Sequence, residues 1–332
     1  MDGDDTLFEG PLGRKLYLNF LMEVNQKCSV LLYPPLRCFF RCEDKQNHKH
    51  YIGDLGLPYK FVMLPPLDKD KRAEWMDLTW GELFQELGSL VSFTPPIANG
   101  PIDGIVLKPK EGAVGRDVVI IVTVDGEGEP VVRHPNVGLS THSKPSDWKS
   151  LDDKSTVFIC EPFCSALEEN EHRFFLHRST NRSIKVFAGV NAHYTSDGRY
   201  ELESLDFVTG NSLKDFPDLP HYLFQKVQGV HHPPNEPFFF NGVVFRVDVC
   251  KLPAVPSQEG EEAPWEPNQG TLWKPDTPTA KNQRWFVNEI QVICGSGTHI
   301  KSYFDNSKIL DHYAGQIKIF VNKSYDLNGA TP

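Results

Sequence analysis

The sequence predicts an α+β fold in which most strands run antiparallel, and three observations predict it. Short β-rich apolar runs separated by polar turns recur along the chain, as at residues 105–107 and 118–122. Runs 184–190 and 200–208 flank the turn signal Ser196-Asp197-Gly198, which marks an antiparallel pair. Helical spacing of apolar residues is clearest at two places, residues 69–88 and 308–320.

Bulk properties narrow the function classes. A chain of 332 residues is long enough for two or three packed subdomains. Its 39% hydrophobic and 23% charged residues match a soluble globular protein. The net charge of −10 argues against a general nucleic-acid binder. No apolar run approaches the roughly 20 residues of a membrane span. The acidic start Met-Asp-Gly-Asp-Asp lacks the layout of a secretory signal. Seven cysteines, an odd count set mostly in apolar runs, suit reduced thiols, so a cytoplasmic location is expected. Cys38/Cys42 and Cys160/Cys164 share a spacing, yet no matching Cys or His pair completes a zinc site.

Taken in order, residues 14–43 alternate apolar runs with the turn-forming Pro34-Pro35 and predict a short α/β or β-rich opening unit. His48, Lys49 and His50 read as a solvated loop, since no acidic ligand pattern surrounds them. Residues 69–88 predict a helix with Leu78, Leu83, Phe84 and Leu87 near one face, and Thr79 with Glu82 resembles a capping box. Pro95 and Pro96 break the chain. Then come a strand ending at Lys108, a loop holding Gly112 and Gly115, and a returning strand. Residues 134–153 predict either a loop that closes over a ligand or a mobile connector. Residues 156–162 read as a buried strand ending in Glu161-Pro-Phe, and an acidic linker with Glu168 and Glu169 follows. The next strand alternates so that Glu171, Arg173 and Phe175 share a face. Residues 212–228 suggest a short helix, and His231 and His232 sit in a proline loop. Residues 238–249 form a long strand signal, 253–284 an inserted mobile loop, 285–293 another strand and 308–320 a closing helix.

Three groups carry the chemistry. A fixed cation beside a glycine loop, as at Lys108, suits polyphosphate, because glycine lets backbone N–H groups approach the oxygens. Glu161-Pro-Phe ends an apolar strand. In strands of period two, Arg246 and Asp248 share a face, as do Glu289 and Gln291 within Asn288-Glu289-Ile-Gln291. If the two strands pair, Asp248, Glu289 and Gln291 converge as oxygen donors of the kind Mg²⁺ prefers. Arg246 beside them suits a phosphoryl group or a developing oxyanion. The plainer readings stay open here. Lys108 is otherwise a surface lysine, Arg246 a salt-bridge partner for Asp248 or Glu289, and Arg173 a partner for Glu171 or Asp248. His134, His142, His231 and His232 read as loop residues, and Cys160 and Cys164 as packed thiols.

Lys108-Pro with Gly112, Gly115-Arg116-Asp117-Val118, then Arg246-Val-Asp248 and Glu289-Ile-Gln291, resembles the motif series of the ATP-grasp superfamily over about residues 98–320. The resemblance implies two α+β subdomains with mainly antiparallel sheets clasping a nucleotide, over residues 96–325. Residues 1–95 would form a small N-terminal substrate region. It implies that Lys108 contacts phosphate oxygens while Gly112, Gly115 and Arg116 cover them. Main-chain atoms around Glu161 and Phe163 would read adenine, Glu169 or Glu171 the ribose, and Asp248, Glu289 and Gln291 would hold Mg²⁺. Lys108, Arg173 and Arg246 would be catalytic. The implied activity is ATP-dependent ligation of a small-molecule or peptide carboxylate to an amine, or to a thiol, with no membrane and no nucleic-acid partner. Two departures stand out. Gln291 replaces the family's usual Asn, and the upstream phosphate lysine has three candidates, Lys60, Lys69 and Lys71. A non-catalytic nucleotide-binding module is the alternative. A polynucleotide-ligase-type nucleotidyltransferase is weakened because no Lys-x-Asp-Gly tetrapeptide occurs.

Overall fold

The structure is a computed structural model that describes residues 10–28, 33, 45–46, 52, 59–65, 68–93, 102–110, 118–123, 130–134, 138–139, 144–148, 156–164, 167, 171–178, 184–194, 200–202, 206–207, 242–252, 284–292 and 307–328. The chain forms two compact units. Unit one comprises Met1–Gln46, Pro58–Cys164 and Tyr194–Tyr200, and unit two Asn47–Leu57, Ser165–His193 and Glu201–Pro332. Both are mixed α and β with antiparallel sheets, as the sequence predicts. No helix among the described residues is long and apolar enough to cross a membrane.

Unit one begins with helix α1 (Gly10–Lys27), which contains the apolar run 16–22. A strand at that run is therefore excluded. Leucine, methionine and lysine favour helix there, and no internal proline interrupts it after the first turn. Strands β1 (Tyr59–Lys60) and β2 (Val62–Leu64) lead into helices α2 (Lys69–Asp77) and α3 (Trp80–Gly88). The single helix expected over 69–88 is thus two. Leu78 is extended, and Thr79 starts the second helix by accepting from the Glu82 N–H at 3.2 Å while Glu82 accepts from the Thr79 N–H at 2.7 Å. This reciprocal cap satisfies donors that a continuous helix would have bonded itself.

The described strands that follow in unit one are β3 (Ser92–Phe93), β4 (Gly104–Pro109), β5 (Val119–Val122), β6 (Val131–His134), β7 (Gly138–Leu139) and β8 (Phe158–Pro162). β1 pairs β3, and the main sheet has the order β2-β8-β4-β5-β6-β7 with every pair antiparallel. Period two sorts its faces. Ile105, Leu107, Ile121, Phe158 and Cys160 bury against Trp75, Trp80, Leu83 and Leu87 of the helices. Each fully buried large side chain there contributes roughly 1.5–3 kcal/mol. Val106 and Lys108 therefore point to the opposite face, with Glu161. Within the stretch read as a possible lid, Trp148 is buried in the core with its ring 5.1 Å from that of Phe158. A large apolar anchor holds residues 144–148 to the sheet, which corrects the lid reading for that part.

The main described elements of unit two are a six-stranded sheet and a long helix. Strands β9 (Glu171–Arg178), β10 (Ile184–Tyr194), β11 (Tyr200–Leu202), β12 (Asp206–Phe207), β13 (Val244–Leu252) and β14 (Arg284–Val292) take the order β11-β10-β9-β13-β14, with β12 also on β10. Helix α4 (Ser307–Asn328) extends past the expected 308–320. It touches the chain at Gly242, whose φ of +76° and lack of Cβ are both required. A Cβ there would stand 2.5 Å from the Phe320 nitrogen. The glycine loop with Gly112, Gly115 and Arg116, the linker with Glu169, the suggested helix 212–228, residues 253–283, His142, His231 and His232 lie outside the described residues.

Candidate functional site

The site residues fall into two groups, one in each unit. In unit one, Lys108 sits near the end of β4, opposite Ile159 of β8, with Glu161 one diagonal away on the same face. Lys108 Nζ donates to Glu161 Oε1, and the Tyr59 hydroxyl donates to Glu161 Oε2 at 2.8 Å. The Lys108 and Glu161 side chains are only 16% and 10% exposed, so Lys108 is not a solvated surface lysine. Phe163 is buried on the same side, and its N–H donates to the Gly104 carbonyl at 2.8 Å. Gly104 permits that closeness, since a Cβ there would lie 3.1 Å from the Phe163 Cβ and 2.7 Å from the Ile121 carbonyl oxygen. Cys160 faces the helices instead. Burial pushes its thiol up to about 12, with the Glu161 charge adding to the effect, so it stays an inert packed thiol.

Of the three candidate upstream lysines, Lys71 is engaged on the helix surface with Glu86 at 2.7 Å and Glu74 at 3.0 Å, while Lys60 and Lys69 are exposed. A cation that sequence reading passed over, Lys45, donates from Nζ to the Pro109 carbonyl at 2.7 Å, at the end of β4.

In unit two the two motif strands do pair. β13 lies between β9 and β14, with Asp248 opposite both Arg173 and Glu289, and Arg246 opposite Gln291. Antiparallel partners share a face, so one face of the sheet carries Glu171, Arg173, Arg246, Asp248, Glu289 and Gln291. Arg246 grips Asp248 with two hydrogen bonds of 2.8 Å and reaches Glu289 Oε2 at 2.9 Å. Arg173 bonds Glu171 at 3.1 Å and stands 3.7 Å from Asp248. The Gln291 amide nitrogen donates to Glu289 Oε1. The register shifts between Asp248 and Val249, which leaves Asn288 as an extra residue on β14. A bulge turns the extra side chain toward its neighbour's side, and the Asn288 amide donates to Glu171 Oε1 at 2.9 Å.

Burial sets the electrostatics. Asp248 is 0% exposed, and burial pushes its carboxyl up to about 7 against the pull of Arg246 and Arg173. Burial works against the Arg246 charge too, but Asp248 and Glu289 outweigh it and hold the guanidinium above its ordinary value. Asp248, Glu289 and Gln291 offer the hard oxygens that suit Mg²⁺. In this arrangement the carboxylates are occupied by Arg246, and among the described residues no group of three His, Cys, Asp or Glu stands ready to hold an ion.

No family model matches the chain, and no curated protein matches it in sequence. Among solved structures it is similar to the D-cycloserine synthetase DcsG, at 11% identity and a TM-score of 0.44, over 84% of this chain and 71% of that one. It is similar to an N5-carboxyaminoimidazole synthetase from Staphylococcus aureus complexed with ADP, at 12% identity and a TM-score of 0.40, over 81% of this chain and 50% of that one. A carboxyaminoimidazole ribonucleotide synthase from Aspergillus clavatus complexed with ATP is similar at 12% identity and a TM-score of 0.37, over 73% and 53%. The chain spans about half the length of these last two proteins.

Besides Lys45, two residues of these groups were passed over in sequence. Tyr59 is separated from Glu161 by 102 positions, and no local pattern links them. Asn288 carried no assignment because strict alternation puts it on the wrong face, and only the bulge reverses that. Arg246 was read as a ligand-facing group or as a salt-bridge partner for Asp248 or Glu289, and the structure has it bonded to both.

Proposed function

We propose that this chain is an ATP- and Mg²⁺-dependent ligase that joins a carboxylate to an amine through an acyl phosphate, releasing ADP and phosphate. The observation that carries the reading is the pairing of β13 with β14, which gathers the buried Arg246 and Asp248 with the half-buried Glu289 and Gln291 on one face. Buried carboxylates cost stability unless they are paired or bind a cation. Lys108 supports the reading from unit one as a partly buried cation on a rigid strand.

Asp248, Glu289 and Gln291 would hold the ion, with Arg246 giving up Glu289 to it. When bound, Mg²⁺ supplies charge neutralisation at the phosphates. Lys108 neutralises phosphate oxygens and fixes their position. A substrate carboxylate attacks the γ-phosphorus, ADP leaves, and the amine then displaces phosphate from the acyl phosphate. Such transfer asks mainly for positioning and charge stabilisation, so no protein nucleophile is needed. Arg246 and Arg173 stabilise negative charge on the transferring group and on the tetrahedral intermediate. Glu171, held by Arg173 and Asn288, is the described candidate for the ribose hydroxyls. Carbonyl groups near Glu161 and Phe163 are the candidates for the adenine edge. Small carboxylic acids and amines are the proposed substrates. A reducing, cytoplasmic setting is supported by Cys160, Cys164 and Cys250 standing as buried thiols.

One observation favours a second reading, a nucleotide-binding module without turnover. Arg246 fills the carboxylate pair that an ion would take. A screen for ADP release with ATP and Mg²⁺ against mixed amino acids and small carboxylic acids separates the two. The ligase reading expects stimulated ADP and phosphate release, lost in Lys108→Ala and Glu289→Ala. Nucleotide-induced thermal stabilisation without release under any substrate mixture would favour the module.

A further inference from the structure

β1 is two residues long, yet it brings Tyr59 onto the carboxylate that holds Lys108. The strand is fixed by pairing with β3, Tyr59 opposite Phe93 and Lys60 opposite Ser92, and the Tyr59 ring meets Phe61 edge-on at 6.3 Å. Glu161 stands on β8, between β2 and β4, so its backbone is rigid. Its carboxylate is the movable part. The torsion that turns a glutamate carboxylate is broad and soft, and an ion pair alone leaves it free to rock. Here one oxygen accepts from Tyr59 at 2.8 Å and the other from Lys108. Two donors on two different oxygens fix the plane of the group. An ammonium has three donors, and the one given to Glu161 sets the direction of the other two.

We propose that Tyr59 is a positioning residue for Lys108. Its hydroxyl locks the Glu161 carboxylate, and that carboxylate aims the Lys108 ammonium at the phosphate oxygens of a nucleoside triphosphate. This rests on the nucleotide reading above, and it gives the N-terminal region, through β1, a part in phosphate binding. Tyr59 touches no ligand in this scheme and acts only through Glu161 and Lys108.

The test is a calorimetric titration of the full chain with MgATP, in a double-mutant cycle of Tyr59→Phe and Lys108→Ala. Phenylalanine keeps the ring against Phe61 and removes only the hydroxyl. Tyr59→Phe should weaken MgATP binding by about fivefold to tenfold, the net scale of one hydrogen bond. In the Lys108→Ala background the same change should alter it by less than about twofold, because the group it aims is gone. A purely structural tyrosine would instead cost the same in both backgrounds, and that result overturns the proposal. So does an unchanged affinity in Tyr59→Phe while Lys108→Ala loses binding, an outcome that leaves the nucleotide reading standing. If Lys108→Ala binds MgATP as the wild type does, both fall. Glu161→Gln provides a second route to the lock, since it keeps the side-chain shape but removes the charge facing Lys108. It should weaken MgATP binding at least as much as Tyr59→Phe, and unchanged affinity there also overturns the proposal.

Discussion

Arg246 shows what the buried face of unit two requires of a single residue. Its guanidinium holds both oxygens of Asp248 and one of Glu289, and Asp248 has no exposure to water. Removing the cation strands carboxylates in a low-dielectric setting, which costs more than the pair itself contributes. Arg246→Ala should therefore lower stability by about 3–5 kcal/mol in urea unfolding, with Arg246→Lys intermediate because one ammonium cannot satisfy three oxygens. A loss under about 1 kcal/mol for the alanine variant would show that these charges are solvated after all. The residues themselves were legible in the sequence, because charged side chains at alternate positions of an apolar strand demand a partner. Their partners were legible only as alternatives. Sequence offered Arg246 as a ligand-facing group or as a salt bridge, and only pairing at the register of Asp248 with Glu289 brings it onto both carboxylates.

At the scale of elements, α4 is docked on its sheet through a histidine pair. His312 Nε2 and His177 Nδ1 are 3.1 Å apart, and the Phe187 ring stacks on His312 at 4.0 Å. Burial, then His312 and Lys185, push His177 down from 6.5 to about 4, and burial lowers His312 as well. The groups facing His177 are His312 from α4 and Lys185 from β10, while β13 presents Val244. The folded value is below the unfolded one. Between about pH 6.5 and 4 the unfolded chain therefore binds a proton that the folded chain refuses, and stability falls as pH falls through that window. Urea midpoints at pH 7 and pH 5 should differ less in His177→Gln than in the wild type, and equal differences would contradict the assignment. Element legibility followed locality. The hairpin of β4 and β5 was readable from two β-rich apolar runs flanking a polar glycine loop. The break between α2 and α3 was not read although its capping box was noticed, since apolar spacing continues across Leu78 and only backbone geometry interrupts it.

For the whole molecule, the mixed α+β class with antiparallel sheets was legible because short β-rich runs and the turns between them are local signals. Strand order was not, since β9 pairs β13 across a long stretch of chain and side-chain pattern alone does not choose the neighbour. The functional account makes one demand on the molecule as a whole. The proposed function assigns Lys108 of one unit and Glu289 of the other to nucleotide binding. Calorimetric titration of MgATP into wild type, Lys108→Ala and Glu289→Gln tests this most directly. The account predicts that each variant loses at least about tenfold in affinity, the scale of one charge-assisted contact. Wild-type affinity in either variant would contradict it.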